Sequence, residues 1–452
     1  MDTKKSIHGE WSSRTTFILA ATGSAVGLGN IWKFPYITGE NGGGAFVIVY
    51  LLCVALVGIP VMMAETMFGR RGRENPVNTM HLLTKEANAD EHWPYLGWMG
   101  VIAGVLILSY YSVVAGWACG YVLKAIDGSF FGVDAQGAKN LFTAFTASPL
   151  QLLFWHTGFM AATMLIVARG LSQGFEKSIR FLIPGLFLLL FLLVGYAMTT
   201  DSYFQGLHFM FNPDFSKLTG NSILVALGQA FFSLGIGMGA VMVYGAYLPK
   251  KVSITETITI IAIADTVVAL LAGIAIFPIV LSNNLPLNSG PGLIFESLPI
   301  AFGNMFGGWL FGILFFVMLV FAALSSSIAL IEPAVSWLVE NKGMERSKAC
   351  WCAGGVTWLL GFGSALSFNI GSDVTVFGKT FYDLLDYLTS NLMLPIGGFC
   401  IAIFAGWMMS QAHSEAELAM VKPLHYKAWR LLIRYIAPAA IFVVFLSVVG
   451  VV

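Results

Sequence analysis

Asp265 stands in the apolar run IAIADTVVALLAG with no cation near it in sequence. A carboxylate inside an apolar span is costly and marks a pathway, a pair or a ligand set. A bound cation would satisfy its charge, and we read Asp265 as a cation ligand in preference to a structural hydrogen-bonding acid. Glu65, Glu332, Asp383 and Asp386 also lie in apolar runs. Glu65 and Glu332 suit structural hydrogen bonding or proton handling equally. Ser325, Ser326 and Ser327 in FAALSSSIAL present hydroxyls to an ion or bond back to their own helix carbonyls. Tyr110 and Tyr111 offer a phenol to a cavity, or pack as aromatics.

The backbone supplies a second kind of chemistry. GSAVGLGNIWKFP, residues 23–35, interrupts an apolar run that begins near Phe17. Gly-x-Gly followed by Asn, Lys and Pro does not make a good spanning helix. FFSLGIGMG, residues 231–239, interrupts another. Irregular backbone inside a bilayer survives only where protein or a cavity covers it. Such a break exposes carbonyls on one half-helix, which suit Na⁺. It exposes N–H groups at the positive end of the other, which suit a carboxylate. A zwitterionic amino acid needs both at once.

These residues require spanning helices to hold them. The chain has 452 residues, 57% hydrophobic and only 11% charged, where a soluble domain carries about 25% charge. Such a chain cannot cover its surface in water, so the expected fold is an all-α polytopic membrane protein in a lipid bilayer. A span needs about 20 apolar residues. Eleven runs qualify: 15–37, 44–69, 96–125, 150–168, 178–199, 221–248, 254–281, 304–339, 347–367, 376–408 and 432–452. The two interrupted runs are the first and sixth. Interruptions at matching places in two halves point to an inverted repeat with a site between them at mid-membrane.

The expected organisation is a cytoplasmic segment 1–14 and a first repeat 15–199 (helices 1–5), then an extracellular loop 200–220. A second repeat 221–408 (helices 6–10), a cytoplasmic loop 409–431 and helix 11 (432–452) follow. With the N-terminus inside, only Lys33, Lys124, Lys139, Lys217 and Lys379 remain outside among the Lys and Arg residues. The C-terminus then lies outside. The polar N-terminus MDTKKSIHGEW has no cleavable signal pattern. Residues 282–303 are half apolar and read as a loop packed on the bundle or as a lid dipping toward a vestibule.

Other classes lack their residues. Net charge is zero, so nothing draws the chain toward nucleic acid. No GxxxxGK[ST] and no HExxH occurs, and no enzyme is expected. The five cysteines, Cys53, Cys119, Cys350, Cys352 and Cys400, lie in or beside apolar runs and give no disulfide framework.

GSAVGLGNIWKFP with ENGGGAF, then GQAFFSLGIGMG, then FAALSSSIALIEP, resembles the neurotransmitter:sodium symporter family over essentially the whole chain. The helix count resembles its bacterial amino-acid branch. The resemblance implies a five-plus-five inverted repeat, with helices 1 and 6 unwound at mid-membrane. It also implies a multi-pass protein of a bacterial inner membrane that couples Na⁺ to uptake of a hydrophobic L-amino acid. A proton-coupled or exchanger-type carrier of the same architecture is the alternative.

The resemblance implies two sodium sites. One would use the Ala25 carbonyl, Asn30, Ser233, Asp265 and the substrate carboxylate. The other would use the carbonyls of Gly23, Val26 and Ala322 with the hydroxyls of Ser325 and Ser326. The substrate carboxylate would meet the Leu28 and Gly29 amides and Tyr111, and its ammonium the carbonyls of Ala25, Phe232 and Ser233. Ile107, Tyr111, Phe232, Gly235, Met238, Ser326 and Leu330 would line the side-chain pocket. Phe232 and Tyr111 would form a thin lid, with Lys33 and Asp386 paired above it. Trp11 would plug the inner end near Arg14, Tyr247 and Glu340. His8 stands where relatives often carry a stronger base.

Chloride-dependent relatives bind the anion at positions matching Tyr50, Gln229, Ser233 and Ala269. Here the last is Ala, and Asp265 supplies a fixed negative charge where those relatives have Asn. No chloride requirement is therefore expected. Gly235 makes room in the pocket and Met238 adapts to its contents, which favours large hydrophobic substrates. Ser24 and Ala25 stand where amine transporters place an Asp. Pro184 alone reads as a static kink in helix 5, but the Gly174–Pro184 spacing is shared with bacterial relatives, and that resemblance favours local unwinding toward the second sodium site.

Overall fold

The computed structural model describes residues 10–285, 287 and 293–448. The described residues are nearly all helical; the only strand-like pairings among them are the isolated bridges Gly43–Pro213 and Val376–Lys379. Among them, nine helices are long and apolar enough to cross a bilayer. These are helix 2 (Gly44–Gly72), helix 3 (Tyr95–Ile126), helix 4 (Pro149–Ala168), helix 5 (Gln173–Ala197), helix 7 (Ile254–Ser282), helix 8 (Gly308–Lys342), helix 9 (Arg346–Leu366), helix 10 (Phe381–Met408) and helix 11 (Pro423–Leu446).

The two expected spans missing from that set are the broken ones. Helix 1 is Arg14–Ala25 followed by a wide turn Gly29–Lys33 and Phe34–Glu40. Helix 6 is Gly220–Leu234 and Ala240–Ala246. Each is too short on either side of its break to count alone. The interruptions read from the glycines are real.

Local chemistry sets most of the ends. Ser13 accepts from the Thr16 N–H and starts helix 1, and Ser253 does the same for helix 7 through Glu256. Helix 10 begins at Phe381 rather than near 376. Phe377 and Gly378 both take positive φ, and Thr380 and Asp383 then form a capping box. Asp383 is therefore a cap at the helix start, not an acid at depth. Helix 11 begins at Pro423 rather than 432, because PLHYKAWRL forms an amphipathic first segment led by a proline. The loop expected over 409–431 also contains a helix, Gln411–Leu418.

Helices 3 and 8 pack along each other, and the second half of helix 6 lies against helix 2. Both halves of helix 1 are largely buried within this frame. In the segment 282–303, residues 286 and 288–292 lie outside the described residues. The remainder packs on the bundle: Leu293, Ile294, Phe295, Leu298 and Phe302 are buried. Phe295 stacks with Phe142 and meets the edges of Trp117 and Tyr121. It also touches Trp32, which faces a vestibule described below.

Candidate functional site

The break in helix 1 begins at Val26, whose backbone turns extended (φ −70°, ψ 105°). Ser326 comes across from helix 8 and donates to the carbonyls of Gly23 (3.4 Å) and Val26 (3.3 Å). Ser325 donates to Ala322 O at 2.9 Å. Ser326 thus meets the Gly23 and Val26 carbonyls, whereas the Ser325 hydroxyl bonds back to its own helix at Ala322. The set is neutral and all oxygen, which suits a hard monovalent cation at an unwound half-helix end. Gly27 is required here: a Cβ would stand 2.6 Å from Ser326 Oγ and 3.2 Å from the Tyr111 hydroxyl.

A second cluster forms on the other side of the break. Asn30 Nδ2 donates to Asp265 Oδ1 (2.8 Å), to the Asp265 carbonyl (3.1 Å) and to Ser233 Oγ (2.9 Å). Ser233 Oγ donates to Asp265 Oδ2 at 2.6 Å, and Tyr50 reaches Ser233 at 3.5 Å. Asn30 Oδ1 accepts from the Gly27 N–H. Asp265 is fully buried, and among the described residues no Lys, Arg or His forms an ion pair with it. Its charge meets only neutral donors, so the set holds one uncompensated negative charge, and a cation fits there. Ala269, one turn further along helix 7, is buried and adds no hydroxyl.

Between the clusters lies a small cavity of about 30 Å³. Ala25, Leu28, Gly29, Ile107, Tyr111, Phe232, Gly235, Met238, Ser326 and Leu330 all line it, as expected. Ser233 does not; its side chain turns away to Asp265. Ser24, Gly27, Ala240 and Ala329 line it as well and were not anticipated. Helical spacing from Ser326 was a signal for Ala329, whereas Ala240 required knowing where helix 6 resumes. The Tyr111 hydroxyl is buried and makes no well-formed hydrogen bond among the described residues, with Ser326 and the Leu28 backbone its nearest polar neighbours. A buried phenol so placed beside an apolar cavity is a ready donor to a ligand carboxylate.

Helix 6 opens over Gly235, Gly237 and Gly239, with φ of 66°, 83° and 73°. Only glycine adopts such values routinely. Glu65 of helix 2, itself fully buried, accepts the Gly237 N–H at 3.0 Å and holds the break in place. This gives Glu65 a structural role.

Phe232 separates the central cavity from a vestibule of about 210 Å³ lined by Lys33, Tyr36, Tyr110, Tyr111, Tyr382, Asp383 and Asp386. Lys33 and Asp386 face the same space but do not pair within 4.0 Å. Lys33 Nζ sits 4.3 Å from the Phe232 ring centroid, and Asp386 accepts from Ser390 at 2.9 Å. The expected direct pair is thus absent from this conformation. The ammonium is satisfied over the aromatic face.

The opposite end is closed. Trp11 is 3% exposed; its indole donates to Tyr244 O and its backbone N–H to Tyr247 O. Tyr247 donates to Glu332 (2.8 Å), and Glu332 holds Arg346 through both oxygens (2.7 and 3.1 Å). Glu340 instead accepts from the Asn75 backbone and side chain, and Arg14 pairs with Glu256. Trp11 and Tyr247 are therefore brought together, and Glu332 accepts the Tyr247 hydroxyl. Arg346 was missed, because it reaches Glu332 only after the chain turns from helix 8 into helix 9. His8 lies outside the described residues.

Gly174 lies in a wide turn, Leu171–Glu176, where a Cβ would stand 2.1 Å from Ile166 O. Pro184 lies inside a continuous helix, Lys177–Ala197. Its neighbour Ile183 packs against Gly23, one of the carbonyl donors, at 2.6 Å from where a Cβ would stand.

Comparison with known proteins places this geometry. The model of the sodium:neurotransmitter symporter family matches residues 8–131 and 150–452. The crystal structure of MhsT in complex with L-phenylalanine superposes with a TM-score of 0.90 at 42% identity, covering 97% of this chain and 99% of that one. The sodium-dependent transporter YhdH of Bacillus subtilis is 40% identical over 445 residues, 98% of each chain. A sodium-dependent transporter of Haemophilus influenzae is 34% identical over 445 residues, 97% of each.

Proposed function

The chain belongs to the sodium:neurotransmitter symporter family, and from that premise we propose that it carries hydrophobic L-amino acids, aliphatic and aromatic, into the cell together with Na⁺ and without chloride. The observation that carries the reading is the buried Tyr111 hydroxyl, which makes no well-formed hydrogen bond, in an apolar cavity flanked by two oxygen clusters at the breaks of helices 1 and 6. The phenol and the Leu28 and Gly29 amides receive the carboxylate. Carbonyls at the two breaks receive the ammonium, and Ile107, Met238 and Leu330 receive the side chain. Asp265, Asn30 and Ser233 with the Ala25 carbonyl hold one sodium. The carbonyls of Gly23, Val26 and Ala322 with Ser325 and Ser326 hold the other.

In this reading residues 15–199 and 221–408 are the inverted repeats, and the Trp11 end faces the cytoplasm of a bacterial cell. Substrate enters past Lys33 and Phe232 while Trp11 and the Arg346–Glu332–Tyr247 contacts keep the inner end shut. The MhsT neighbour, solved with L-phenylalanine, supports an aromatic substrate. Uptake of labelled leucine, phenylalanine and tryptophan into proteoliposomes tests the proposal. Concentrative uptake is expected in sodium gluconate as in sodium chloride, and none in choline chloride. Uptake driven by a pH gradient in choline would favour the proton-coupled alternative instead, and a chloride requirement would remove the anion claim.

Release to the inside proceeds through helix 5. Pro184 lacks an N–H and weakens the helix beside Ile183 and Gly23. Pro184→Ala is expected to strengthen this turn and slow sodium release about tenfold. Stopped-flow release at the parent rate would count against unwinding.

A further inference from the structure

Glu176 is a buried carboxylate that the transport cycle described above does not use. It ends the wide turn Leu171–Glu176 at the start of helix 5 and reaches across to the segment leading into helix 1. Oε1 accepts the Ser12 backbone N–H at 2.8 Å, and Oε2 accepts the Ser12 hydroxyl at 2.7 Å. Ser12 directly follows Trp11, whose backbone and indole are held by Tyr247 and Tyr244. The other groups facing Glu176 add little restraint of their own. Arg180 is 57% exposed and approaches Oε2 only to 3.6 Å, while also donating to Ser12 and Thr16.

We propose that Glu176 is a positioning residue that ties the first turn of helix 5 to the Trp11 plug, so that the two leave their closed positions together. The proposal rests on the alternating-access reading for what the opening accomplishes, but the latch itself is a property of the closed end. Three features of the geometry carry it. The contact is bidentate, so one carboxylate fixes both the backbone and the side chain of the residue next to the plug. It is buried, so water does not replace the lost bonds while the end stays shut. Its helix-5 side is a wide turn following Gly170, at φ 78°, a backbone stretch already departing from regular helix. Movement of that turn withdraws the carboxylate and frees Ser12. Departure of the plug likewise leaves Glu176 without its donors and loosens the turn.

Hydrogen–deuterium exchange of the full-length protein in detergent, in choline chloride without amino acid, tests this. The parent is compared with Glu176→Gln, Ser12→Ala and the double variant. Glu176→Gln is expected to raise exchange about tenfold in peptides covering residues 14–25 and, to the same degree, residues 171–182. Ser12→Ala should move the same two regions in the same direction, and the double variant should go no further than Glu176→Gln. Peptides over 381–393, at the other end, should stay at the parent rate. A rise confined to one region, additive effects in the double variant, or no rise in either region would overturn the latch. If Glu176→Gln does not fold, Ser12→Ala decides alone by whether both regions move. Because sodium and substrate are absent, loss of the latch leaves the transport reading standing, and failed uptake leaves the latch standing.

Discussion

Asp265→Asn is expected to reduce sodium-driven uptake roughly 100- to 1000-fold in chloride-free medium. The size follows from the site. Asp265 is fully buried, and its oxygens meet only the neutral Asn30 amide and Ser233 hydroxyl. A cation about 4 Å from a unit charge gains roughly 4 kcal/mol at an effective dielectric of 20. Asn keeps the shape and one accepting oxygen, turns the other position into an N–H donor, and removes that charge. The same substitution tests the chloride claim. With the fixed charge gone, an anion nearby becomes the remaining way to balance the sodium. Tyr50 and Gln229 already border the cluster, and Ala269 is the missing hydroxyl. Asp265→Asn with Ala269→Ser should recover part of the uptake in sodium chloride and none in sodium gluconate. Parent-level uptake by Asp265→Asn in gluconate would sink the role assigned to this carboxylate.

Why these residues could be named from sequence, and others could not, has a physical answer. The breaks in helices 1 and 6 were legible because Gly-x-Gly inside an apolar run has few structural meanings. Gly235, Gly237 and Gly239 all took positive φ, as such a break requires. Asp265 was legible because an uncompensated acid in an apolar run is expensive wherever it lies. The lining of the cavity came from the family resemblance, and of the residues it named only Ser233 lies elsewhere, with its side chain on Asp265. Contacts made by charges near helix ends were much less legible. Lys33 and Asp386 carry opposite charge and face one vestibule, yet Lys33 rests on Phe232. Composition cannot distinguish two acceptors for one flexible ammonium. Glu340 and Glu332 both lie late in helix 8, and only the turn that brings Arg346 back shows which of them it grips. Asp383 looked like an acid at depth because the apolar run seemed to start at 376; the turn at Phe377 and Gly378 made it a cap. Helix ends depend on caps and turns of a few residues, which hydropathy averages away.

The two oxygen clusters and the cavity are not independent sites. Gly27 places its missing side chain between Ser326 and Tyr111, and its N–H is held by Asn30, which also binds Asp265. A ligand that moves the helix-1 break therefore moves donors of both clusters at once. Under the proposed function, that shared backbone would let sodium and substrate raise each other's affinity, since linkage between bound ligands is reciprocal.

Tyr111→Phe isolates the substrate side of this arrangement. Removing the hydroxyl is expected to weaken L-phenylalanine binding about 10- to 100-fold, because a hydrogen bond to a charged group contributes about 1.5–3 kcal/mol. The stability of the protein should respond differently. The hydroxyl is buried and makes no well-formed hydrogen bond to a described residue, only weak approaches to Ser326 and the Leu28 backbone, so its loss costs the fold little. Deleting a buried polar atom that lacks a well-formed bond is neutral or stabilising. The thermal midpoint without substrate should therefore hold or rise while affinity falls, and the added stability conferred by saturating substrate should shrink. Scintillation-proximity binding in sodium chloride and a thermal melt with and without L-phenylalanine read the two effects separately. A packing role for Tyr111 predicts the reverse, a lower midpoint with little change in affinity. That result would move the carboxylate contact away from this phenol and onto the Leu28 and Gly29 amides alone.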